Sequence, residues 1–458
     1  MLRTDHLGVT SIIREFCYNS DSVYLGMLHF FHSNAWKLDK IMRKWIELIQ
    51  RSGWIHRDFG KPVLIGDGVS VSKEGKKMPA AKKLRQSSEN SGKPEFIWGH
   101  MFGGIGILVG NAVKIFCLPL SLRIHDGNQT IREWAGSEYV NDSHVTRLVR
   151  EAFKVATILK ESCFLVLDRY FLSVDALKAL REEAWGVGIS LITVITRAKD
   201  TCVAFKKPNP LSGKSICPKR GKKAAAKPIG ERVKLISLFT TAADQFTETQ
   251  LMIYGKLKDV RFLSVDLLWG KDLYQELRFV LVLVDGVQNI FVSTSLLLSP
   301  EKIIMLYCCR SKIEVLFNAF KNVISGFGYH FWNRLTPILN KFDPAKAADE
   351  NLKALGLSLP EAKRLIQNTY DATEGFVMFC SIATGILQLI ALTFTAEINA
   401  APVRWLRTYT NVIPSEASTA VALRDDFCRV CHLWPDLGIV RIIRQKSRSE
   451  LTKLKATA

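Results

Sequence analysis

The order of apolar segments constrains this chain more than any other feature. The apolar run at 62–66 ends in Asp67, and Cys163-Phe164-Leu165-Val166-Leu167 ends in Asp168. Runs of this length, bounded by turn residues, read as buried strands. Residues 100–124 read as two strands around a Gly110-Asn111 turn, 145–160 as an amphipathic helix, 173–186 as a second helix and 189–196 as a further strand. Beyond a basic stretch at 197–232, residues 233–298 alternate and are rich in Val, Leu, Phe and Thr, with Asp285-Gly286 as a hairpin signal. A long helix is expected from 300 to about 323. This order predicts a mixed α/β core interrupted by a smaller β-rich unit.

Helical sequence flanks that core. Residues 23–50 have helical apolar spacing and close on Arg51-Ser52-Gly53. Beyond 333 the chain reads as mostly helical, broken by a polar loop at 343–360, and no internal repeat is visible. The predicted boundaries are a helical region at 1–60, the first part of the core at 61–200, a basic linker with the β-rich insertion at 201–299, the last core helix at 300–335 and a helical region at 336–458.

The chain of 458 residues carries 63 Lys+Arg against 43 Asp+Glu, a formal net charge of +20. With 48% hydrophobic residues it is not a disordered polyelectrolyte. The excess is concentrated in three stretches, with net +10 at 197–234, +5 at 73–93 and +5 at 441–455. Any one such run could be a solvated loop. Three on an otherwise neutral chain predict an extended polyanion partner such as DNA.

The first residues lack the apolar core of a signal peptide, and the ten cysteines follow no framework, so reduced thiols in a cytoplasm are expected. Cys428-Arg429-Val430-Cys431-His432 matches a haem-attachment pattern and a zinc half-site, but ordinary buried thiols are the expected reading, since no second Cys/His pair lies at a suitable spacing. Residues 376–396 are long and apolar enough to cross a bilayer. Ser381, Thr384, Gln388, Thr393 and Thr395 interrupt them, so a central core helix is expected and no membrane.

A lone buried carboxylate is costly, so Asp67 and Asp168 belong at the rim of the sheet, where α/β folds bind ligands. A capping or turn role is the alternative for either. On the helix after Pro300, offsets of 3, 7 and 14 from Tyr307 put Arg310, Glu314 and Lys321 on one stripe at about 100° per residue. Surface pairing at i,i+4 would also explain such a stripe.

The spacing Tyr-x2-Arg-x3-Glu-x6-Lys, met by Tyr307, Arg310, Glu314 and Lys321, resembles the signature of the DDE transposases of bacterial insertion sequences, of the type that includes the insertion-sequence-four family. Asp67-Gly68 with the basic run after it, Gly99-His100, Asp168-Arg169-Tyr170-Phe171 and Ile195-Thr196-Arg197-Ala198-Lys199 are similar as well. The resemblance spans about 61–325. It implies an RNase H-like mixed-sheet core, interrupted by a β-rich insertion domain, with a triad of Asp67, Asp168 and Glu314.

By the same resemblance, the triad holds two Mg²⁺ ions, for which Mn²⁺ can substitute, and the carboxylates need such cations because they repel one another. The implied reaction cuts DNA at the terminal inverted repeats of an element and joins the freed 3′-hydroxyl to target DNA, in a homodimer associated with the nucleoid. Tyr307, Arg310 and Lys321 would grip phosphates, with Arg197 and Lys199 as further DNA contacts. Hairpin-forming relatives stack a flipped base on a tryptophan of the insert; Trp269 is the candidate here, and a place in the insert core is its alternative. Members of the family often carry an end-binding domain before the first Asp, whereas 66 residues precede Asp67. End recognition is therefore expected to fall to residues 1–60 and the basic stretches. An RNase H-like nuclease that does not join strands, or an inert DNA-binding descendant of a transposase, are the alternatives.

Overall fold

A computed structural model describes residues 8–9, 21–33, 35–85, 94–138, 140–188, 190–208, 229–336, 358–400, 413–434, 436 and 440–441. Parts of the three basic stretches, at 209–228, 86–93 and 442–455, and most of the loop expected at 343–360 lie outside these residues. So do the side chains of Cys428, Cys431 and His432.

The strands form one mixed sheet. Within it, β2 (Lys61–Ser72) holds the apolar run expected there. On one side β2 pairs antiparallel with β4 (Phe96–Gly110), which pairs antiparallel with β5 (Ile115–Ile124). On the other side β6 (Cys163–Leu167) and then β7 (Ile192–Arg197) run parallel to β2. Gly66 of β2 is in register with Leu167, so Asp67 and Asp168 emerge side by side where β6 ends. The short strands β1 (Arg57–Asp58) and β3 (Lys82–Arg85) pair with β2 and β4. Parallel neighbours need crossovers, and the helices α3 (His144–Leu159) and α4 (Val174–Val187) supply them.

The alternating region at 247–293 forms an antiparallel meander of β10 (Thr247–Ile253), β11 (Lys256–Trp269), β12 (Gln275–Val284) and β13 (Val287–Ser293). It is continuous with the core sheet, because β13 pairs antiparallel with β7 at Phe291 and Arg197. Part of the stretch read as a linker is also strand: β8 (Val203–Phe205) pairs with β9 (Arg232–Lys234) and with β11.

Two expected helices are broken. Residues 23–50 form α1 (Asp21–His32) and α2 (Leu38–Ser52). Between them Ser33 Oγ accepts from the Ala35 N–H at 3.0 Å, and the Trp36 indole donates to the Phe30 carbonyl at 2.9 Å, so side chains replace the helical ladder. The helix after Ser299 divides into α5 (Pro300–Cys308) and α6 (Lys312–Asn322), joined by a 3-10 turn at Cys309–Ser311. Ser311 Oγ donates back to the Cys308 carbonyl at 3.5 Å, a contact that bends helices.

The apolar run at 376–396 lies mainly in α7 (Leu359–Thr393), whose most apolar stretch is 61% buried within the protein. Its buried polar side chains bond within the protein, although Gln388 Oε1 is left without a partner among the described residues. Ser381 and Thr384 donate to carbonyls one turn back, and Gln388 donates to the Cys117 carbonyl at 3.1 Å. Buried Glu374 accepts from Arg123 at 3.0 Å, from the Ile124 N–H at 2.9 Å and from Tyr370 at 2.9 Å. This network fixes α7 to β5, as the core-helix reading anticipates. A further helix, α8 (Glu416–Leu433), packs against α7.

Candidate active site

α6 rests on the face of β2 and β4 that bears Asp67. Ile313, Leu316, Phe317 and Phe320 are buried beneath it, and burying each such side chain is worth about 1.5–3 kcal/mol. The close approach depends on glycine. Gly104 is the cross-strand partner of Asp67, and a Cβ there would lie 2.9 Å from Leu122 and 3.3 Å from the Phe317 ring. A side chain at Gly104 would lift the helix, and with it Glu314, from the sheet.

Three carboxylates meet one guanidinium at this place. Arg310 Nη2 donates to Asp67 Oδ2 at 2.8 Å and lies 3.7 Å from Asp168 Oδ2, while Nη1 donates to Glu314 Oε1 at 2.5 Å. Asp67 and Asp168 are 18% and 23% exposed, whereas Glu314, in the first turn of α6, is 58% exposed. Local roles and convergence coexist. Asp67 Oδ1 accepts from the Gly68 N–H at 2.7 Å, and Asp168 Oδ1 caps a short 3-10 helix through the Arg169 N–H at 2.7 Å. The other oxygen of each faces Arg310. Burial pushes the Asp67 carboxyl up, Arg310 and the Gly68 N–H oppose that, and Asp168 and Glu314 add to it.

Surrounding groups hold this arrangement. Thr196 Oγ1 donates to the Asp168 carbonyl at 2.8 Å, which gives the segment ending β7 a structural purpose. The Tyr307 ring stacks on Phe291 of β13 with centroids 4.5 Å apart, and its hydroxyl lies 3.5 Å from Asp168 Oδ1. Burial, then the charge of Asp168, pushes the Tyr307 hydroxyl pKa up, so it stays a donor; Arg197 is close enough to oppose that shift. Arg197 Nε is buried and has no hydrogen-bond partner.

Other expected residues lie further out. Lys321 is exposed at the last turn of α6. Lys199 is exposed, with its ammonium 5.8 Å from the ring of Tyr170, which Arg169 also approaches at 5.5 Å. Trp269 ends β11 opposite Gln275 and packs with the apolar cluster around Leu267 and Leu277, beside Cys202. Sequence reasoning missed Tyr254. This residue sits at the turn between β10 and β11, is 69% exposed, and lies within electrostatic reach of Arg310 and Glu314. Gly255 was a turn signal in the sequence, and Tyr254 turns there with a φ of 51°, but nothing in the sequence said where the turn would point.

Among the described residues, no three His, Cys, Asp or Glu side chains are grouped as metal ligands; Arg310 stands between the acids. The donor set nonetheless suits Mg²⁺ or Mn²⁺, because it offers hard carboxylate oxygens and already surrounds a positive charge.

Comparison with known proteins adds one finding. Residues 117–330 match the family model described as the transposase DDE domain. The match includes Asp168 and Glu314, begins after Asp67, and supports a DDE transposase family for the chain. No curated protein and no solved structure matches it.

Proposed function

We propose that this chain is an insertion-sequence transposase that cuts DNA at the ends of its element and joins them to a target, with Asp67, Asp168 and Glu314 as its triad. The convergence of these three acids from two neighbouring strands and a third, distant helix carries the reading. Two further observations support it. The arrangement of β5, β4 and β2 as an antiparallel run followed by parallel β6 and β7 suits an RNase H-like core. The family match covers the segment that carries Asp168 and Glu314.

Attack of water on a phosphodiester at the element end breaks the P–O3′ bond and leaves a 3′-hydroxyl. That hydroxyl then attacks a target phosphodiester, displacing a second 3′-oxygen. Asp67, Asp168 and Glu314 would hold two Mg²⁺, or Mn²⁺, which supply nucleophile activation and stabilisation of the leaving oxygen. The chain's other residues position the strand. Arg310 offers a planar fork that fits phosphate, Tyr307 a hydroxyl donor oriented by Phe291, and Lys321 a charge about two turns beyond Glu314. Arg169, Tyr170, Arg197 and Lys199 extend this surface past Asp168. The meander serves as the insertion domain, and Tyr254 at its tip is better placed than Trp269 to meet an unpaired base. A homodimer working at the nucleoid completes the reading.

An excision assay on DNA bearing the native element ends tests the proposal. Mg²⁺-dependent release of the element, lost in Asp168→Ala, is the expected result. Cleavage without joining would favour the nuclease alternative, and end binding without cleavage by the wild type would favour the inert one.

A further inference from the structure

Arg310 is the point at which the site is held by its own chain. Its two terminal nitrogens face Asp67, Asp168 and Glu314, and its Nε is buried without a hydrogen-bond partner. Three acids brought this close repel one another unless a cation lies among them, and the guanidinium supplies that charge. It cannot discharge by losing a proton, so it either stays among the carboxylates or moves away.

The same fork that fits carboxylates fits a phosphate diester. Asp67 and Asp168 are largely enclosed, whereas Glu314 is 58% exposed, so the site is open on the Glu314 side. A DNA backbone arriving from that side would offer Arg310 a second anion outside the carboxylate cluster.

We infer that Arg310 is an exchangeable counter-ion: it holds the acids together in the free protein and excludes divalent cations until a DNA phosphate draws it away. The inference rests on the triad reading above and adds to it an order of events. Metal entry and DNA capture become linked, and linkage is reciprocal: whatever factor DNA adds to metal affinity, metal adds to DNA affinity.

Binding of Mn²⁺ alone to the full chain, followed by calorimetry or by the spin signal of free Mn²⁺, tests this without reference to activity. In the absence of DNA, Arg310→Gln is expected to bind Mn²⁺ roughly tenfold more tightly than wild type, the scale of one charge-assisted hydrogen bond removed from competition. Metal-free Arg310→Gln should melt below wild type and recover when Mn²⁺ is added, while Arg310→Lys should keep affinity near the wild-type value. Duplex DNA should tighten Mn²⁺ binding to wild type and do so much less for Arg310→Gln.

Equal or weaker Mn²⁺ binding by Arg310→Gln, with binding still lost in Asp67→Asn, would overturn the counter-ion role and leave the triad standing. No Mn²⁺ uptake by wild type or variant, with or without DNA, would remove the triad reading and this inference with it.

Discussion

Arg310 donates to Asp67 across 2.8 Å, although 243 positions separate the two in the chain. That contact joins β2 to the short turn between α5 and α6. On the proposed reading, it marks where a DNA strand would meet the carboxylates. It also depends on how closely α6 lies on β4.

Gly104→Val tests that dependence. The added side chain would collide with Leu122 and the Phe317 ring, and overpacking of this kind costs about 1–3 kcal/mol. DNA cleavage should fall further than thermal stability alone would explain, because Glu314 moves with the helix. A variant with native activity and native melting temperature would show that the glycine is incidental.

The network around Glu374 predicts a purely structural defect. Glu374→Ala leaves Arg123 without its buried partner, although Asp39 at 2.6 Å retains part of the charge pairing. A loss of about 3 kcal/mol is expected in denaturant unfolding, in the range for breaking a buried pair. Glu374→Gln, which keeps hydrogen bonds, should lose less. Equal losses would mean that shape rather than charge fixes α7.

Acid should destabilise the fold through its buried histidines. Burial lowers His100 and His144 to about 4 and holds His125 well below the usual histidine value. His100 lies between the Tyr329 hydroxyl and the Pro79 carbonyl with Lys73 nearby, and His125 meets His144 at 2.9 Å near Arg147, Arg132 and Asp126. Between a solution value of about 6.5 and a folded value near 4, the unfolded chain binds protons that the folded chain does not. Stability is therefore full above that window and is lost as pH falls through it. Melting curves from pH 7 to 4 should show the decline, and His100→Gln should flatten part of it.

Tyr254 and Trp269 should fail differently. Trp269→Ala removes a packed ring from the meander and should cost on the order of 2 kcal/mol. Tyr254→Ala should leave the melting temperature unchanged and weaken processing of DNA ends. Exchanged phenotypes would mean that the tryptophan, not the tyrosine, reaches the DNA.

How much of this was legible in the sequence follows from the range of the interactions. The strand that ends before Asp168, the two strands around Gly110, and the buried fate of α7 depend on local runs and turn residues, and all can be read; the strand bearing Asp67 was legible too, but it runs on to Ser72 because β4 pairs with it past the acid. Side chain to backbone contacts at Ser33 and Ser311 break two helices whose apolar spacing is otherwise continuous. The pairing of Phe291 with Arg197 makes the meander continuous with the core, and no local pattern encodes a partner almost a hundred positions away. For the same reason Tyr254 was invisible, since its place near Arg310 and Glu314 comes from where a hairpin points. The stripe of Tyr307, Arg310 and Glu314 was legible, but the guanidinium's place among the acids required the fold.

The most direct test of the central claim is Mg²⁺-dependent cleavage of element-end DNA by Asp67→Asn, Asp168→Asn and Glu314→Gln, each of which removes a charge while keeping side-chain size. Loss of cleavage in all three, with melting temperature and end binding close to wild type, is the expected result. Wild-type cleavage by Glu314→Gln would contradict it.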